Sequence, residues 1–163
     1  MQLTPAGVEA QFDWIHDRHS TVVPLVNSVR ADLGEAFATE VDPISAEGYH
    51  EAIDAVGANG DRAVNVAALV AILRELDVEG DYPGFVVDEL LGRELAAMIA
   101  GDQPRRLLAE ATFHYADIHH HAGEGAGTDD LEAALAAGVQ TRLPGWNWTE
   151  AESPFAVEPN RKH

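Results

Sequence analysis

Val64-Asn-Val-Ala-Ala-Leu69-Val70-Ala-Ile72-Leu73-Arg-Glu-Leu76-Asp-Val78 decides the fold class. Its apolar residues recur on nearly every side of a helix, with no strict alternation that would make it a strand. A helix that is apolar all round is one that is buried, so this segment is expected to be the central core helix. On one side the turn Gly57-Ala58-Asn59-Gly60 bounds it, and on the other Gly80-Asp81-Tyr82-Pro83-Gly84 breaks it.

Outward from that segment the same period repeats. Thr4 to His19 places Val8, Phe12 and Ile15 on one stripe, and helix continues or restarts through Val22, Leu25, Val26, Val29 and Leu33. Ser20 is a candidate cap there, because Pro24 would otherwise kink one long rod. Asp42-Pro43, or alternatively Ser45, opens a short helix to about Val56. Phe85 to Ala100 is expected to turn Val87, Leu90, Leu91, Leu95, Met98 and Ile99 inward. Gly101 and Asp102 then separate it from a helix running to about His121, and Thr128 caps a last, alanine-rich helix to about Leu143. The reading is an all-α, single-domain bundle of six or seven helices over residues 1–143, followed by an extended, non-helical arm over 144–163.

Composition narrows the function classes. A chain of 163 residues buries roughly 70% of its unfolded surface without staples. The absence of cysteine excludes disulfides, thiolate metal sites and cysteine nucleophiles. Ten basic residues against 28 acidic give a net charge of −18, a surface that repels nucleic-acid backbones and anionic lipid. Met1-Gln2-Leu3-Thr4-Pro5 has no basic stretch leading into an apolar run, and no segment has the roughly 20 apolar residues of a membrane span. A cytoplasmic protein, free or in a larger particle, is the expectation. Gly57-Ala58-Asn59-Gly60-Asp61 is neither a phosphate loop nor an EF-hand, and no Gly-x-Ser-x-Gly elbow occurs.

Two features carry functional expectations. The first is the arm. Trp146, Trp148 and Phe155 concentrate large aromatic surface in twenty residues, punctuated by Pro144, Pro154 and Pro159, with Arg161 and Lys162 near the end. A disordered tail is usually poor in aromatics. Rings of this kind serve as interface anchors, and the prolines restrict the free arm and so reduce the ordering loss on docking. The arm is therefore expected to dock on a protein partner or sister subunit, making the chain a non-enzymatic subunit of an oligomeric assembly, a viral particle being one example. This reading needs no cofactor.

The second is Glu110-Ala-Thr-Phe-His114-Tyr-Ala-Asp117-Ile-His119-His120-His121. At about 3.6 residues per turn, Glu110, His114, Asp117 and His121 share one face. Carboxylates and imidazoles on one face suit a divalent metal such as zinc, iron or manganese. Acid-x-x-His also occurs at Asp13/His16, Glu47/His50 and Asp117/His120, a small excess over chance for this composition. The alternative expectation is a metal-binding protein or metal-dependent enzyme using that face together with His50. Leu108, Ala111, Tyr115 and Ile118 form an apolar stripe about 100° away, which is expected to face the core and leave the metal face at its flank.

Overall fold

The computed structural model describes residues 2–118 and 128–143. Within them the chain is all-helical, with seven helices and no strand. Helix α1 spans Pro5–Asp17, α2 His19–Ala36, α3 Ala46–Gly57 and α4 Gly60–Glu75. Helix α5 is one continuous rod: it starts as Asp81–Phe85, winds as a π-helix through Val86–Gly92, and ends as Arg93–Ala100. Helix α6 is Arg105–Ile118 and α7 is Thr128–Gln140.

Local chemistry sets these boundaries. Thr4 caps α1 by accepting from the Gly7 amide, with Pro5 at the first helical position, where its missing N–H is not needed. The chain breaks at Arg18, so Pro24 falls early in α2. Between the two candidates for the start of α3, Ser45 is the cap, its Oγ accepting from the Gly48 amide. Asn59 caps α4 through Oδ1 and the Arg62 amide, so the helix starts at Gly60, four residues before the expected Val64. The axes of α3 and α4 differ by 111°, and no single described helix is long and apolar enough to cross a membrane.

The centre of the molecule is α7, not the Val64–Val78 segment. Every residue from Asp130 to Thr141 is buried, and α2, α6 and the second half of α5 surround that helix. Its composition explains this: Ala133, Ala134, Ala136, Ala137 and Gly138 let neighbouring helices approach from all sides. Leu131, Leu135 and Val139 fill the gaps between them. Helix α4 instead lies at an edge, against α1, α3 and α5. It buries the stripe Ala63, Val66, Ala67, Val70, Ala71 and Leu73, and leaves Val64, Ile72 and Leu76 exposed. Apolar content on all sides of α4 thus overstated its burial.

In α5 the expected inward set is met by Val87, Leu95 and Ile99, with Leu91 and Met98 half-buried against the core. Leu90 is exposed instead. The π-helical turns take more residues per turn than an α-helix, so the phase of the apolar pattern slips there.

Polar groups tie the outer parts to this core. The Asn27 side chain donates to the Ile44 carbonyl and accepts from the Ile44 amide (3.3 and 2.8 Å), pinning the segment between α2 and α3. The buried Arg30 donates from Nε to the Asp42 carbonyl and from Nη1 to Gln140 Oε1. Tyr49, wholly buried, donates its hydroxyl to the Ile15 carbonyl at 2.6 Å.

Candidate functional site

Helix α6 carries most of the candidate residues, and its packing decides which of them can act. It buries Ala109, Thr112, Phe113 and Ala116. Small side chains at three of these positions allow close contact with α7, and Phe113 lies against Gly92 of α5. Thr112 stays satisfied by donating to the Leu108 carbonyl at 2.8 Å. The helix is therefore turned away from the expected orientation. Leu108 is half-buried, and Ala111, Tyr115 and Ile118 are exposed. Leu107 and Ile118 are each 63% exposed, so Leu107, Ala111, Tyr115 and Ile118 make an outward apolar stripe. The expectation that Leu108, Ala111, Tyr115 and Ile118 face the core is corrected: the packed face is Phe113 with the small Ala109, Thr112 and Ala116. Tyr82, Phe85 and Leu90 of α5 are exposed as well.

Glu110, His114 and Asp117 flank the stripe. His114 is exposed, and its Nε2 lies 3.5 Å from Glu89 Oε1 on the π-helical stretch. Glu89 also meets Arg93 at 3.5 Å. Asp117 is half-buried and joins two residues that the sequence reading did not single out. One carboxylate oxygen each from Asp88, Asp117 and Asp130 lie within 4.8 Å of one another. Asp88 comes from the π-helical stretch and Asp130 from the first turn of α7, where it is buried. In sequence Asp130 reads as an ordinary acid near a helix start, and only the crossing of α5, α6 and α7 makes it a neighbour of the other two. Among the described residues this is the group with metal-holding geometry. Its donors are all oxygen, which suits magnesium, calcium or manganese better than zinc.

His50 does not join that group. It stacks on His16 with ring centroids 4.8 Å apart, and His19 meets it edge-on at 5.3 Å. The packing of α1 on α3 thus brings His16 and His50 together. One nitrogen of each ring is occupied. His50 Nε2 and His19 Nδ1 both reach the His16 carbonyl (3.1 and 3.2 Å), which can only accept, and His16 Nε2 pairs with Asp54 at 2.8 Å. A nitrogen that donates has no lone pair for a metal, so these three nitrogens tie α1 to α2 and α3 instead of offering ligands. His121 lies outside the described residues, as do the arm residues Trp146, Trp148, Phe155, Arg161 and Lys162.

The sequence model of one family matches residues 1–159, which includes nearly the whole chain. The chain belongs to DUF7984, a domain of unknown function. The DUF7984 match runs across the helical body and on through most of residues 144–163. No curated protein and no solved structure matches the chain.

Proposed function

We propose that this DUF7984 chain is a non-enzymatic subunit of an assembly, and that residues 144–163 of one copy dock on the outward face of α6 of another. The observation that carries the reading is the stripe Leu107, Ala111, Tyr115 and Ile118. A helix in a monomer normally turns such a stripe inward, and apolar surface left outside marks interaction surfaces. The occupant follows from composition and charge. Trp146, Trp148 and Phe155 supply rings for an apolar face. Arg161 and Lys162 supply the positive charge that Glu110 and Asp117, flanking the stripe, attract. A second acidic body would be repelled, the full chain carrying a net charge of −18; an aromatic segment of almost no net charge, with Arg161 and Lys162 at its end, would be repelled far less.

The test is removal of residues 144–163 followed by measurement of mass in solution. The reading expects a multimer of the full chain and a monomer of the shortened one. A full chain that is already monomeric, or a multimer unaffected by the deletion, rejects it.

One observation favours a second reading, a divalent-cation-binding protein. Three carboxylates, one of them buried, each bring an oxygen within 4.8 Å of the others, an all-oxygen donor set of the kind a divalent cation takes. On this reading Asp88, Asp117 and Asp130 replace the expected His50-containing set as ligands, and His114 with Glu89 stands beside them.

A further inference from the structure

Positive charge is scarce in this chain, with ten basic residues against 28 acidic. Some arginines accordingly pair with acids: Arg93 with Glu89 at 3.5 Å, and Arg106 with Glu94 at 3.1 Å. Arg62, Arg105 and Arg142 behave differently. Among the described residues none of the three forms an ion pair.

Two of them converge on one point. Gly101, which ends α5, has φ +91°, a conformation that favours glycine. A Cβ built on Gly101 would stand 2.9 Å from Arg62 Nη2 and 3.1 Å from Arg142 Nη2, so those two nitrogens are no more than 6.0 Å apart. Arg142 Nε donates to the Ile99 carbonyl, which fixes the plane of its guanidinium. Arg105, on the first turn of α6, shares with Arg142 a cleft of about 460 Å³ that also reaches Ser45 and Gly48 at the start of α3. On the other side, Arg62 lines a cleft of about 340 Å³ with Asn59 and Asn65.

The electrostatics agree. Burial, then the like charges of Arg62 and Arg105, lower the proton affinity of Arg142, and the charge of Asp102 opposes this to a smaller extent. Gathering guanidinium groups is unfavourable where like charges outweigh the opposing one, and a bound anion would relieve it. Guanidinium groups approaching from three helices or their ends match an anion with three or more acceptor oxygens better than a carboxylate with two.

We propose that Arg62 and Arg142, which meet at Gly101, together with Arg105 beside Arg142, bind a phosphate group, either free or carried by a small molecule. Glu51, Asp61 and Asp102 line the same two clefts and disfavour carriers with further negative charge nearby. The acidic body likewise excludes polyanions such as nucleic acid, whereas one small anion inside a Debye length of about 10 Å feels the arginines first.

The experiment is calorimetric titration of the full chain at low ionic strength with inorganic phosphate, glycerol phosphate and succinate. The proposal expects saturable phosphate binding that weakens at least tenfold in Arg105→Gln and in Arg62→Gln, with Arg93→Gln unchanged. Arg105 is exposed, so its variant tests the site without questioning the fold. Tighter binding of glycerol phosphate identifies a carried phosphate as the source, and equal binding a free one; both support the site. No binding at millimolar phosphate overturns it, as does binding indifferent to Arg105→Gln and Arg62→Gln. Succinate binding as tight as phosphate also overturns it.

Discussion

Gly138 of α7 and Ile99 of α5 are in direct contact: a Cβ placed on Gly138 would stand 2.7 Å from the Ile99 Cβ and 2.9 Å from the Ala96 carbonyl oxygen. Neither neighbour is the end of a flexible chain, so the helices would have to separate. Gly138→Ala is expected to destabilise the protein by about 1–3 kcal/mol, despite alanine's better helix propensity, because overpacking outweighs propensity here. Thermal or urea unfolding measures it. A variant as stable as the parent would show that α7 is not gripped on all sides.

Tyr49 provides a pH test. Burial, and secondarily the charge of Glu132, raises its ionisation above the ordinary value of 10.0, while Arg18 opposes the shift. A raised pKa means the folded state keeps its proton where the unfolded chain has lost it. The stabilisation is complete below about pH 10 and is lost as pH rises toward the folded value. Unfolding titrations are expected to show stability falling above pH 10 in the parent and falling less in Tyr49→Phe. At neutral pH Tyr49→Phe is expected to be less stable by about 1 kcal/mol, since the buried hydroxyl bond is lost while the Ile15 carbonyl keeps the Arg18 amide as a donor. Equal pH dependence in both proteins would contradict the assignment.

The carboxylate group of Asp88, Asp117 and Asp130 gives a third test. If it holds a cation, millimolar calcium or manganese raises the melting temperature, since a ligand that binds only the folded state stabilises it. Asp117→Asn is expected to remove most of that increase, and His50→Ala to leave it intact. A melting temperature indifferent to both ions in the parent ends the cation reading.

Helix existence was legible in the sequence because apolar recurrence and caps are local: Thr4, Ser45 and Asn59 each cap where short-range chemistry allows. Helix orientation was not. In α6 the ordinary rule points Tyr115 and Ile118 inward, yet the packed face is Ala109, Thr112, Phe113 and Ala116. The helix that surrounds itself with others is the alanine- and glycine-rich α7, whose modest hydrophobicity conceals how closely neighbours can approach it. The slip at Leu90 came from π-helical winding, which has no clear signature in the apolar pattern. For the site, Asp117 could be nominated from its own helix. Asp88 and Asp130 come from α5 and α7, and Arg62, Arg105 and Arg142 from segments far apart in the chain, so only the tertiary crossings bring them together.

The most direct test of the assembly reading is light scattering on the full chain and on Ile118→Asp at matched concentrations. Ile118 is largely exposed, so the substitution is expected to leave the fold intact while placing a charge in the proposed docking stripe. The account predicts a mass at a multiple of 17.5 kDa for the parent and 17.5 kDa for the variant. A mass of 17.5 kDa for the parent, or the same multiple for both proteins, would contradict it.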